Sequence, residues 1–196
     1  MTNPGGESPR REAAWALVSE WTANPNLQKH MLAVEAAMRS YARRLDEDEH
    51  LWGLVGLLHD FDYERFPSQD AGHPFRGVEH LRSLGYSDAI CQAILSHADY
   101  SGVARTSPME KALHACDDIT GFIVAVALVR PGRSLDGVDA AAVRKKMKDK
   151  AFARAVDREE MVRAAEELGI GFDEHVGIVV DAMRGIAPTL GLTASA

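Results

Sequence analysis

One stretch of this chain, residues 112–129, is apolar on nearly every face of the helix it predicts, and no other feature limits the fold as much. Such a helix has to be enclosed by other elements. On its N-terminal side apolar residues recur at helical spacing, first Ala13, Ala14, Trp15, Leu17, Val18 and Trp21, then Leu27, Met31, Val34, Ala37, Met38 and Tyr41. No strand pattern of useful length and no internal repeat breaks in. The expected fold is all-α, a single-domain helical bundle, and 196 residues at 46% hydrophobic suffice for one domain with a real core.

Caps and breakers place the helices. Asn24 and Pro25 stop the first helix and start a second that runs to about Leu45. Asp46 to Glu49 supply an N-cap and a negative first turn for a third helix, which ends at His59 and Asp60. Phe61 to Gly72 has no sustained period and reads as a loop. His73 and Pro74 open a fourth helix that Gly85 ends; Ser87 and Asp88 start a fifth with His97 near its C-terminal end. Ser107, Pro108 and Glu110 form the start signature of the sixth, central helix, and Pro131 and Gly132 stop it. A short helix from about Val138 to Lys148, a turn near Ala151 to Val156, a helix between Asp157 and Gly169, and a last one from Asp173 to Ile186 follow. Residues 1–9 and 187–196 are small, polar or turn-forming, so disordered ends are expected around a domain at 10–186.

Bulk properties exclude several classes. The net charge is −7 and no dense basic run precedes the segment near residue 145, which argues against nucleic acid as an obligate partner. The N-terminus lacks a charged-then-apolar signal and the most apolar helix is too short to span a bilayer, so a cytoplasmic protein with no membrane partner is expected. Cys91 and Cys116 both fall in apolar helical patterns and read as reduced core thiols. Oligomeric state is not encoded in any readable pattern.

The chemistry lies in dispersed histidines and aspartates. His59 and Asp60 close the apolar run Leu51, Trp52, Leu54, Val55, Leu57 and Leu58, with His30 before them and His73, His97 and Asp117 after. Nitrogen and oxygen donors of this kind suit a divalent metal held among helices. Adjacent side chains of a regular helix diverge by about 100°, so His59 and Asp60 can share a centre only where the helix is ending. An ionised carboxylate within 112–129 costs several kcal/mol unless it is paired or metal-bound. Periodicity does not choose between Asp117 and Asp118.

The order His30, His59-Asp60, Asp117 resembles the HD-domain superfamily of metal-dependent phosphohydrolases, in its HDIG-related branch. Leu57-Leu58-His59-Asp60-Phe61-Asp62-Tyr63-Glu64 is similar to the central motif, and Ala115-Cys116-Asp117-Asp118-Ile119-Thr120-Gly121-Phe122 to the last helix. The resemblance implies a ligand-bearing core at about 25–130 with a helical extension at 131–186, and it assigns the ligand role to Asp117. It implies His73 and His97 as two further ligands, as in the branches with two metals. Asp62 and Tyr63 stand where the commoner variant has Gly and Lys.

What the resemblance implies is hydrolysis of a nucleotide or other small phosphorylated metabolite by water activated on one or two divalent ions, Mn, Fe, Co, Ni, Zn or Mg. Asp62 is the expected catalytic residue, through a polar contact to the activated water. Arg105 and Lys111, flanking the start of the central helix, are expected to bind the substrate's phosphate. The basic stretch Arg144, Lys145, Lys146, Lys148, Lys150 reads as a solvated helix face or as a rim that attracts phosphate. His114, one turn before Asp117, reads as a core or boundary histidine or, alternatively, as a partner or lining residue of the site. Two alternatives use the same residues: a di-iron oxygenase of the same superfamily, and a non-enzymatic ligand-sensing module with a structural metal.

Overall fold

A computed structural model describes residues 9–194. The periodic segments become ten α-helices and one 3-10 turn: α1 (Arg11–Trp21), α2 (Pro25–Leu45), α3 (Glu49–Leu58), α4 (Phe75–Ser83), α5 (Asp88–His97), the turn Asp99–Ser101, α6 (Pro108–Leu128), α7 (Ala140–Met147), α8 (Arg158–Glu167), α9 (Phe172–Arg184) and α10 (Ala187–Leu190). No strand occurs among the described residues, and the fold is all-α. None of the described helices is long and apolar enough to cross a membrane.

The cap signals act as their chemistry requires. Asn24 accepts from the Asn26 amide, Asp48 from the amides of His50 and Leu51, and Ser107 and Glu110 close a reciprocal capping box. Gly85, at φ +82°, takes the left-handed conformation that stops α4. That helix begins at Phe75, one residue beyond the expected His73-Pro74 start.

α6 is enclosed as its composition demands, with α2, α5, α7, α8 and α9 packed around it. Leu113, Cys116, Ile119, Phe122 and Ile123 are fully buried on it. The pair α2 and α3 packs most closely because Gly56 lets the backbones approach; a Cβ there would lie 2.9 Å from the Glu35 backbone. Trp52 is core, whereas Trp15 and Trp21 pack on the core only partly buried.

The C-terminal end departs from expectation. Residues 187–190 form α10, and Leu190 and Leu192 are 4% and 3% exposed. Leu192 also accepts the Leu135 amide at 2.9 Å, so the segment closes the core instead of fraying. Its polar composition hid two leucines that fill a gap left by other helices. The expected disorder of residues 1–8 and 195–196 lies outside the described residues.

Candidate metal centre

The bundle brings donors from five segments to one place. His30 comes from the second turn of α2, His59 caps α3, Asp60 follows in the irregular turn, His73 precedes α4, His97 ends α5, and Asp117 sits mid-way along α6. α3 stops at Leu58, and the break lets the adjacent His59 and Asp60 face a common point.

Two donor groups result, His30, His59, Asp60 and Asp117 in one, Asp60, His73 and His97 in the other, with donor atoms within 4.8 Å of each other in each. In the first, His30 Nε2 lies 3.2 Å from His59 Nε2 and 2.9 Å from Asp117 Oδ1, and Asp60 Oδ2 is 3.5 Å from His59 Nε2. In the second, His73 Nε2 lies 3.2 Å from His97 Nε2 and 3.2 Å from Asp60 Oδ1. Asp60 therefore turns one oxygen to each group.

The ring nitrogens facing away from the centre test whether a cation fits. Nδ1 of His59 lies 2.8 Å from Gly56 O, Nδ1 of His73 lies 2.7 Å from Asp62 Oδ1, and Nδ1 of His97 lies 2.5 Å from Ile94 O. Each acceptor takes the Nδ1 proton, which leaves the Nε2 lone pair directed at the other donors. His30 Nδ1 faces Thr120 Oγ1 at 3.4 Å, and that hydroxyl itself donates to Asp117 O at 2.8 Å. Imidazole lone pairs aimed at one another and at carboxylates repel until a cation or added protons lie between them. A nitrogen-and-carboxylate set oriented from behind in this way fits a divalent ion.

The electrostatics agree. Burial opposes charge on His59 and His97, yet the Asp60 and Asp117 carboxylates outweigh it and raise both imidazoles. Burial likewise opposes ionisation of Asp60 and Asp117, and the surrounding histidines overcome it and hold both carboxyls below the usual range.

A cavity of about 490 Å³ opens over Asp60, His73, His97 and Asp117. A second one, about 570 Å³, touches the other side of His30 but is walled mainly by Leu27, Val124, Leu128, Leu190 and Leu192 and contains no carboxylate. Chemistry, not size, assigns the site to the first.

A profile of the family described as HD domain matches residues 27–127, more than half of the chain. The chain belongs to the HD domain family. HD domains bind divalent metals, and the family's members are generally metal-dependent hydrolases. Over 114 residues, 58% of the chain, it is 28% identical to Ribonuclease Y 2 of Levilactobacillus brevis, and the match spans 20% of that relative's length. No solved structure matches.

Several expectations about this HD domain need correction. Asp62 does not line the cavity: it is 1% exposed, its Oδ1 accepts from His73 and its Oδ2 accepts the Gly77 amide at 2.6 Å, so it is buried behind His73 and directed away from the space where water would react. Arg105 is turned away, donating to Ser96 O at 3.0 Å and to Asp99 at 2.6 Å, and neither it nor Lys111 lines the cavity. Of the two readings of the basic stretch on and after α7, the rim is the one the cavity does not match, since none of those residues lines it; Arg144 pairs with Asp173 and stacks over Phe172. Arg105 was placed by sequence proximity to α6, and its side chain found a carbonyl and a carboxylate nearer to hand.

Further residues surround the two donor groups. His114 lines the cavity with Nδ1 3.2 Å from His97 O and Nε2 2.8 Å from Glu160 Oε1, a carboxylate contributed by α8 of the extension. No local signal marks Glu160. Asp118 lies on the cavity wall outside both donor groups; desolvation, then the neighbouring Asp117 charge, push its carboxyl up to about 6. Tyr63, Gln69, Ala98, Asp99 and Tyr100 complete the wall.

Proposed function

We propose that this HD domain hydrolyses a small phosphorylated metabolite, with His30, His59, Asp60, His73, His97 and Asp117 as ligands of two divalent ions. The observation that carries this reading is Asp60, whose two oxygens address two separate imidazole pairs beneath one open cavity. When bound, such ions acidify water toward neutrality and offset the negative charge on phosphate oxygens.

The chain's own residues supply orientation. Gly56, Ile94 and Asp62 fix the Nδ1 protons of His59, His97 and His73, which keeps each Nε2 available as a donor. Asp62 is thus a positioning residue for His73. The overall reaction adds water oxygen to phosphorus and breaks the P–O bond to the alcohol, whose oxygen keeps the electron pair and gains a proton.

The match to a protein named ribonuclease raises RNA as a substrate. A net charge of −7 and a cavity with no lysine or arginine among the described residues of its wall favour a small molecule instead.

The test is metal analysis together with phosphate release from a panel of phosphorylated compounds, using several divalent metals, under air and under nitrogen. Two ions per chain are expected, with turnover that chelation abolishes and nitrogen leaves intact. Asp60→Ala loses both metal and turnover; a metal-free Asp60→Ala protein with full activity rules the reading out. Turnover that requires oxygen and iron would transfer the site to oxygenase chemistry.

A further inference from the structure

If the cavity hydrolyses a phosphate ester, as proposed above, its walls describe the remainder of the substrate. Two divalent ions held by the Asp60 and Asp117 carboxylates would carry two surplus positive charges, the complement of one phosphate dianion. Nothing positive remains for a second anionic group. Among the described residues no lysine or arginine lines the cavity, while Asp99, Asp118 and Glu160 do.

The three carboxylates differ in what they hold. Asp99 is tied to Arg105, and Glu160 to His114 and Arg163. Among the described residues Asp118 has no ion-pair or hydrogen-bond partner, and it lies next in sequence to Asp117 on the same wall. His73 and His97, nine-tenths buried, line the same cavity with their Nε2 atoms directed at the donor group, so Asp118 shares one cavity with those donors.

Two aromatic rings stand over the same space. Tyr63 and Tyr100 are 47% and 42% exposed, unusually open for large side chains, and both line the cavity. Tyr63 is set edge-on against the His73 ring with centroids 5.3 Å apart, so its position is coupled to the donor group. Exposed aromatic rings and a carboxylate lining one cavity supply the chemistry that recognises an organic cation.

We propose that the substrate is a phosphate monoester whose alcohol part carries an organic ammonium group, with Asp118 as the counter-ion and the Tyr63 and Tyr100 rings as its aromatic contacts. An amine of lysine-like basicity is fully charged at neutral pH. Water oxygen bonds to phosphorus, the ester P–O bond breaks toward the alcohol oxygen, that oxygen takes a proton from the water, and the ammonium group passes unchanged into the released amino alcohol. The same wall repels nucleoside triphosphates, carboxylated esters and RNA.

The test uses the full chain loaded with manganese and a matched set of esters: phosphoethanolamine and phosphocholine, ethyl phosphate as the uncharged comparison, and phosphoglycolate as the anionic one. We expect kcat/KM for the ammonium esters to exceed that for ethyl phosphate about tenfold, with phosphoglycolate lowest. Asp118→Asn lowers the ammonium-to-ethyl ratio about fivefold, and Asp118→Lys reverses the preference toward phosphoglycolate; circular dichroism confirms that both variants are folded. Phosphate release from ethyl phosphate or phosphoglycolate as fast as from the ammonium esters overturns this inference and leaves the hydrolase reading standing. Release from none of them with any metal overturns the hydrolase reading, and calorimetric binding of the same set then decides the ammonium preference on its own. Phosphoethanolamine that binds no tighter than ethyl phosphate overturns it.

Discussion

Asp62 and His73 are joined by a hydrogen bond of 2.7 Å in which His73 Nδ1 donates, and the other Asp62 oxygen accepts the Gly77 amide at 2.6 Å. A buried carboxylate is thereby consumed in orienting one imidazole. It orients His73 toward Asp60 and His97 and leaves the His30 and His59 side of the centre untouched.

Asp62→Asn is the direct test of that division. An asparagine has one acceptor oxygen for two donors, so either His73 or the Gly77 amide loses its partner. Loss of such an orienting group typically costs 10–100-fold in metal affinity. Metal titration is expected to show the weaker ion lost first by about that factor, while the ion at His30, His59 and Asp117 binds nearly as before. Equal weakening of both ions would contradict the assignment.

Gly77→Ala probes the same link from the opposite side. A Cβ at Gly77 would lie 2.7 Å from Asp62 Cγ and 2.9 Å from Phe61 Cε1, both in fully packed surroundings. Helix propensity favours alanine there by about 1 kcal/mol, and overpacking costs about 1–3 kcal/mol, so a net loss of stability is expected. Thermal unfolding measures it. Adding Asp62→Ala should relieve the clash, so the double variant falls short of the sum of the two single losses.

His175 gives the fold a pH dependence of its own. Its ring is fully buried, with Nε2 donating to Ala115 O at 2.9 Å and Nδ1 accepting from Tyr41 Oη at 2.5 Å. Burial lowers its pKa. The unfolded chain therefore takes up a proton near its ordinary value of about 6.5 that the folded chain refuses. The His175 contribution to stability is complete above that pH and is lost as pH falls below it, by up to about 1.4 kcal/mol per pH unit. Urea unfolding at pH 7.5, 6.0 and 5.0 should show a flatter pH slope for His175→Gln than for the unaltered chain, although the variant is less stable at pH 7.5.

How much of this was legible depended on whether a residue's role is local. Caps at Asn24, Asp48 and Ser107 act within one turn and could be read directly. The enclosure of α6 followed from the absence of a polar face, and the order of His30, His59, Asp60 and Asp117 led to the family. Glu160 was invisible because it reaches the cavity from α8, across the helical extension, beside a histidine far away in sequence. Asp62 and Arg105 were noticed for their position beside the motif but given the wrong partners. Whether a side chain faces the cavity or turns behind it depends on which donors and acceptors the fold brings within 3 Å, and no spacing rule encodes that.

Leu192 shows the same limit in the core and leads to a stability prediction. It lies two residues past α10 in a stretch of small and polar residues, yet it is 3% exposed and its carbonyl accepts the Leu135 amide at 2.9 Å. Leu190 and Leu192 together line the apolar cavity on the far side of His30, so the segment seals the bundle next to α2 and α6. Removing a buried leucine side chain costs about 2–5 kcal/mol, and a site bordering an existing cavity relaxes easily, which points to the lower end of that range. Leu192→Ala is expected to lose about 2 kcal/mol in urea unfolding, against less than about 0.5 kcal/mol for Thr193→Ala on the exposed chain beside it. If the two substitutions cost the same small amount, the segment does not close the core. If Leu192→Ala also weakens metal binding, then the packing behind α2 contributes to holding His30 in place.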